Sequence, residues 1–172
     1  MLNKKILGAV TLAAMAVSSA AMAGDRDFNT AAGAVIGAAI GSNAGGRDGA
    51  IVGVVTHFKA RTPTMREIGY RLFDQTLAGR GYVTEACTLL IDYLFNVSQY
   101  HRIELMTAPE NTASVRVAEK CGFTAEGTLR QSFFINGRFQ DVTLYSLLRP
   151  EWEARRAGLA GVAANVTRLP RM

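Results

Sequence analysis

With 172 residues, of which 49% are apolar, the chain is long enough for one packed domain but not for two of ordinary size. Only 19% of its residues are charged, and the net charge falls from +5 to +3 if Lys4 and Lys5 leave with a cleaved leader, too small and dispersed a charge for a nucleic-acid surface. Cys87, Cys121, His57 and His101 form no Cys/His cluster, so no metal is expected and both cysteines read as small buried apolar residues.

Residues 1–23 have the pattern of a secretory signal peptide: Lys4 and Lys5, an apolar stretch from Ile6 to Val17, and Ala21-Met22-Ala23 before Gly24. Residues 24–55 carry a glycine at every fourth position, namely Gly33, Gly37, Gly41, Gly45, Gly49 and Gly53. On a helix this spacing gathers the glycines on one face, open to a membrane partner, a second helix or a second copy. The segment resembles the glycine-zipper region of bacterial outer-envelope surface antigens. Residues 56–67, with mixed charges and Pro63, read as a junction.

Residues 68–152 look like an ordinary folded unit. Ile68 to Phe73 reads as a strand. After the glycine turn at Gly79-Arg80-Gly81, apolar residues at spacings of three and four (Val83, Ala86, Leu90, Tyr93, Leu94, Val97) predict a helix. Such a helix start favours an anion, because its first N–H groups lack acceptors and the helix dipole and Arg80 add positive charge. Arg102 to Thr107 is a second strand. Asn111 or Thr112 can cap a short helix that Gly122 ends. Phe123 to Leu129, Phe133 to Ile135 and Phe139 to Leu148 are further strands, the last two joined by Asn136-Gly137. The tail, residues 153–172, is weakly helical or without structure.

Several of these motifs together resemble the C-terminal half of a GNAT-family N-acetyltransferase, in the branch that acts on ribosomal-protein N-termini. They are Gly79-Arg-Gly-Tyr-Val-Thr-Glu-Ala, His101-Arg-Ile-Glu, Pro109-Glu-Asn-Thr-Ala-Ser, Glu119-Lys-Cys-Gly-Phe and Asn136-Gly-Arg-Phe-Gln-Asp-Val. The resemblance implies acetyl-coenzyme A as co-substrate and a primary amine as acceptor. It implies that backbone groups of Gly79, Arg80, Gly81, Tyr82 and Val83 bind the pyrophosphate, that Leu72 and Phe73 pair with pantetheine where two parallel strands splay, and that Asn111 hydrogen-bonds the coenzyme. It also makes Ser114 or Tyr145 the acid for the leaving thiolate and Glu104 the base for the amine. The alternatives are a capping Ser114, a core Tyr145 and a Glu104 paired with Arg102.

The expected fold is therefore α+β or α/β: a partial GNAT fold, a mixed sheet with two flanking helices, behind a Gly/Ala-rich helical segment. The family's first three strands are expected to be missing upstream of Ile68, and Ala78 stands where the family carries Arg or Gln at the loop start. Both departures imply weak turnover or none, unless a homodimer supplies the missing strands. The leader implies export to the envelope, whereas the family implies the cytoplasm. That conflict favours a chimeric reading frame, or an envelope glycine-zipper protein carrying an inactive acetyltransferase remnant.

Overall fold

The computed structural model describes residues 53–73, 75–135 and 137–166, with side chains as far as residue 159, and the backbone of two short strands upstream. These are β1 (Val10–Thr11) and β2 (Gly37–Ile40). They are followed by β3 (Gly53–Lys59), β4 (Met65–Leu72), α1 (Tyr82–Val97), β5 (Arg102–Thr107), α2 (Thr112–Cys121), β6 (Thr124–Ile135), β7 (Arg138–Leu148) and α3 (Arg149–Val166). One seven-stranded sheet runs in the order β1-β2-β3-β4-β5-β7-β6. Every neighbouring pair is antiparallel except β4 and β5, which the α1 crossover makes parallel.

The mixed sheet with flanking helices is the expected one, but its upstream edge is not. Residues 56–67 are no junction: β3 pairs with β4 along its whole length, from Gly53↔Leu72 to Lys59↔Arg66, and the strands are joined by a turn in which Met65 N donates to Thr62 O at 3.1 Å. The expected glycine helix gives way to strand at residues 37–40 and 53–55. Val54, Val55 and Thr56 are β-branched and suit a pleated surface, and cross-strand partners override a local four-residue period. Three strands thus precede β4, so the sheet does not begin there. The remainder of the leader and of the glycine segment, with Gly33, Gly41, Gly45 and Gly49, lies outside the described residues, as does Asn136.

The core lies on one face of the sheet. Ala86, Cys87, Leu90, Ile91, Leu94 and Phe95 of α1 pack with Ala118 and Cys121 of α2 against Val55, Ile68, Ile103, Leu105, Tyr145 and Leu147. Gly122 ends α2 at φ 88°, with Gly122 N and Phe123 N donating to the Glu119 and Ala118 carbonyls, each at 3.0 Å. The tail is also more ordered than its composition implied, because α3 begins at Arg149 and docks on α1: Trp152 Nε1 donates to Asp92 Oδ1 at 2.6 Å, and its ring lies 5.1 Å from that of Phe95.

His57, opposite Ile68 across the strand pair, is buried with a hydrogen-bond partner for neither ring nitrogen. Burial, aided by the nearby Arg66 charge, lowers its pKa below the ordinary 6.5. The folded chain therefore binds this proton less readily than the unfolded chain, so stability present above 6.5 drains away as pH falls. His57→Leu is expected to gain about 1 kcal/mol and to flatten the acid limb, read by thermal denaturation at several pH values. An unchanged acid limb would contradict this.

Candidate active site

The candidate site forms at the carboxyl ends of the parallel pair. β4 ends at Leu72, with Phe73 exposed beyond it, and a short 3-10 turn (Gln75–Leu77) leads into the glycine loop. Gly79 (φ 78°) and Gly81 (φ 87°) hold left-handed conformations that disfavour other residues. A Cβ at either would meet nothing within 4 Å, so the space above the loop is open. Gly81 is the N-cap of α1 and provides no side-chain cap; the first acceptor in the helix is its carbonyl, taken by Glu85 N at 3.0 Å. The N–H groups of Val83 and Thr84 belong to the first turn, which has no acceptors within the helix. Glu85 is the one acidic residue of this turn, and burial raises its pKa above the ordinary 4.5.

Beside the loop the sheet parts. β4 and β5 pair only over Met65–Glu67 and Arg102–Glu104, while β5 stays with β7 as far as Thr107. The divergence opens a groove of about 1020 Å³ lined by Thr56, Gly69, Tyr70 and Arg71 on one side and Met106, Thr107, Asn111 and Ser114 on the other. Arg138 and Asp141 of the β6–β7 hairpin also line it. Asn111 caps α2, its Oδ1 accepting from Ser114 N at 3.2 Å, so its amide nitrogen is what it can offer a ligand. Tyr70 spans the parted strands: its hydroxyl donates to the Ser114 carbonyl at 3.3 Å, and burial raises the phenol pKa so that it keeps its proton. Both backbone groups of Ser114 are thus held, and its side chain also lies within hydrogen-bonding reach of the Tyr70 hydroxyl.

Two expected catalytic residues lie elsewhere. Tyr145 is a core residue that does not line the groove. Glu104 is buried on the same sheet face as Met106, two residues back, and its carboxylate accepts from Arg61 and, at 2.8 Å, from Arg102 Nε. Arg102 also forks onto Glu126 at 2.6 and 2.5 Å, and Ser146 Oγ donates to Glu126 at 2.7 Å. The Arg102 guanidinium holds the Glu126 carboxyl down at about 2. Glu104 is thus the centre of an ion network. Tyr70, Arg71, Arg138 and Asp141 had no site role assigned from the sequence, and they meet in the groove through long-range strand divergence. No cluster of metal-ligating residues occurs among the described residues.

A mixed sheet parted at its parallel pair, with a glycine-led helix that starts without a side-chain cap in the crossover between the two strands, is an α/β arrangement. The family model for the acetyltransferase (GNAT) domain matches residues 12–124, and the chain belongs to that family. This match runs through the leader, the glycine segment and the supposed junction, against the expectation that everything upstream of Ile68 belongs to another protein. The chain is similar to the putative ribosomal N-acetyltransferase YdaF of Bacillus subtilis, with 34% identity over 110 residues, 63% of this chain and 60% of that protein. It thus spans about three fifths of that relative's length. Among solved structures it is similar to the ribosomal-protein-S5-alanine acetyltransferase from Vibrio fischeri (TM-score 0.62, 28% identity, 69% of this chain and 63% of that one). It is also similar to the spermidine N-acetyltransferase from Vibrio cholerae in complex with CoA and spermine (TM-score 0.54, 30% identity, 60% and 62% of the two chains).

Proposed function

We propose that the chain binds acetyl-coenzyme A between the glycine loop and the parted strands and transfers the acetyl group to a primary amine. The observation that carries this reading is the gap between β4 and β5, lined by Asn111 and Ser114; Leu72, Phe73 and the loop from Gly79 to Val83 do not line that groove but follow in the chain from the β4 residues that do. Acetyl-coenzyme A supplies an acetyl group activated as a thioester. The loop from Gly79 to Val83 cradles its pyrophosphate with backbone N–H groups, and Arg80 adds charge from the loop. Ala78 has only a methyl side chain and adds no polar contact. The main chain of Leu72 and Phe73, at the end of β4, borders the path of the pantetheine arm, and Asn111 donates its amide from across the slot.

Ser114 is the proton donor to the departing thiolate, held by the Asn111 cap below and by Tyr70 across the gap. Tyr145 supports the core. Glu104, tied to two guanidinium groups, fixes β5 against the neighbouring strands rather than taking a proton from the amine. The amine is a polyamine or a protein N-terminus, the acceptor classes named for the relatives, and it enters along the face that carries Arg71, Arg138 and Asp141.

Incubating the full chain with acetyl-coenzyme A and either amine, with mass detection of the acetylated product, tests transfer directly. Ser114→Ala is expected to lower kcat by about 10–100-fold with little change in coenzyme affinity. An unchanged kcat would remove Ser114 from the chemistry, and no product from either amine class would count against transfer itself.

A further inference from the structure

Neither cysteine takes part in the acetyl-transfer chemistry, yet the fold brings the two together. Cys87 sits on α1, wholly buried, and Cys121 ends α2 with 6% of its surface exposed. The two meet where α2 ends against α1, because the Cys121 sulfur packs on Thr84 and Thr88, the helical turn of α1 that carries Cys87. Cys121 Sγ also lies 3.6 Å from the Thr84 carbonyl and 3.8 Å from the Thr88 hydroxyl. From α3, the Arg155 guanidinium reaches over the end of α2: its Nη2 donates to Lys120 O at 3.2 Å and its Nη1 fills the space beside Gly122.

We propose that Cys87 and Cys121 are an oxidisable dithiol, a covalent modification site at which a hydroperoxide closes an internal disulfide between α1 and α2. The surroundings give the sulfurs different parts. Cys121 is the sulfur with exposed surface, and the neighbouring Cys87 thiol and the Arg155 charge favour its thiolate over that of Cys87. Hydrogen bonding to Cys121 and burial keep Cys87 protonated. Cys121 therefore reacts first. Its thiolate attacks one peroxide oxygen, the O–O bond breaks, and the leaving hydroxide takes a proton to become water; the sulfur is oxidised to a sulfenic acid and the peroxide is reduced. The Cys87 sulfur then attacks the sulfenic sulfur, forming the S–S bond and breaking the S–O bond. The departing hydroxide takes the Cys87 proton and leaves as a second water. Two thiols and one hydroperoxide give one disulfide and two waters (or, from an alkyl hydroperoxide, one water and an alcohol).

The cross-link joins the helix that Gly81 caps to the helix whose first turn carries Ser114, and it restricts the unfolded chain over the stretch from 87 to 121. The test exposes the reduced full chain to hydrogen peroxide, quenches it and counts thiols after denaturation. Both thiols are expected to disappear, the mass to fall by two hydrogen atoms, and one proteolytic fragment to contain Cys87 and Cys121 linked. Tm should rise by about 5 °C and return with dithiothreitol. Cys87→Ser should instead trap a dimedone-reactive sulfenic acid on Cys121, with no cross-link and no gain in Tm. Cys87→Ala gives the same reading should serine prove too polar for the buried position. Two thiols still open to alkylation after peroxide, oxygen added to the wild type without a cross-link, or disulfides only between separate chains would each overturn the proposal.

Discussion

Gly81→Asp is expected to abolish coenzyme A binding while leaving the fold in place. The left-handed φ of 87° costs a substituted residue about 1 kcal/mol, and aspartate is among the residues that tolerate it best. The new Cβ meets no neighbour within 4 Å. A carboxylate at this N-cap also satisfies first-turn N–H groups and complements the helix dipole, which offsets part of the strain. The same carboxylate occupies the anion position and repels a pyrophosphate there. Affinity should fall by at least about 100-fold, or roughly 3 kcal/mol, measured by titration calorimetry, while Tm moves only a few degrees. Gly81→Ala separates the causes, since it carries the strain without the charge and should retain much of the binding. If Gly81→Asp bound coenzyme A within about threefold of wild type, the loop would not be the phosphate cradle.

Arg149→Ala is expected to produce the largest loss of stability among single surface-accessible changes. This guanidinium donates to three carbonyls: Tyr100 at 2.8 Å, Phe95 at 2.8 Å and Ser98 at 2.6 Å. Its backbone N–H donates to His101 O at 2.9 Å. The Phe95 carbonyl belongs to the last turn of α1, where the helix supplies no donor. One side chain at the start of α3 thus closes the end of α1 and fastens the connection into β5. Losing three charge-assisted bonds and leaving part-buried carbonyls unpaired should cost about 3 kcal/mol, lowering Tm by about 10 °C. Lysine should not rescue, because a single ammonium cannot reach three divergent acceptors. Urea denaturation measures this, and a loss under about 1 kcal/mol would mean that water replaces the guanidinium at little cost.

What could be read from the sequence was local. The helix over Val83 to Val97, the strand from Arg102 to Thr107, the Asn111 cap and the Gly122 stop all rest on neighbours within a few residues, and each formed close to its expected bounds. The upstream strands were illegible for the opposite reason. β3 is buried on both faces over much of its length and so shows no alternation, and its identity comes from pairing with β4. A glycine at every fourth residue suits a helix on local grounds and gives way once partners exist. α3 did carry a signal: Pro150 sits in the first helical turn, and Glu151 Oε2 accepts from Leu148 N at 2.9 Å. The site divides along the same line. The glycine loop and the α2 cap are short motifs, whereas Tyr70, Arg71, Arg138 and Asp141 meet only after strands far apart in sequence diverge. Glu104 and Tyr145 sit on the strands where they were expected, but the side-chain partners that decide their roles come from Arg61, Arg102 and the core.

The central claim is that the parted strands and the glycine loop hold coenzyme A, and titration calorimetry of coenzyme A into the full wild-type chain tests it most directly. Saturable binding at one site per chain, weakening as salt rises, is the expected result. A folded chain that takes up no coenzyme A at millimolar concentration would contradict it.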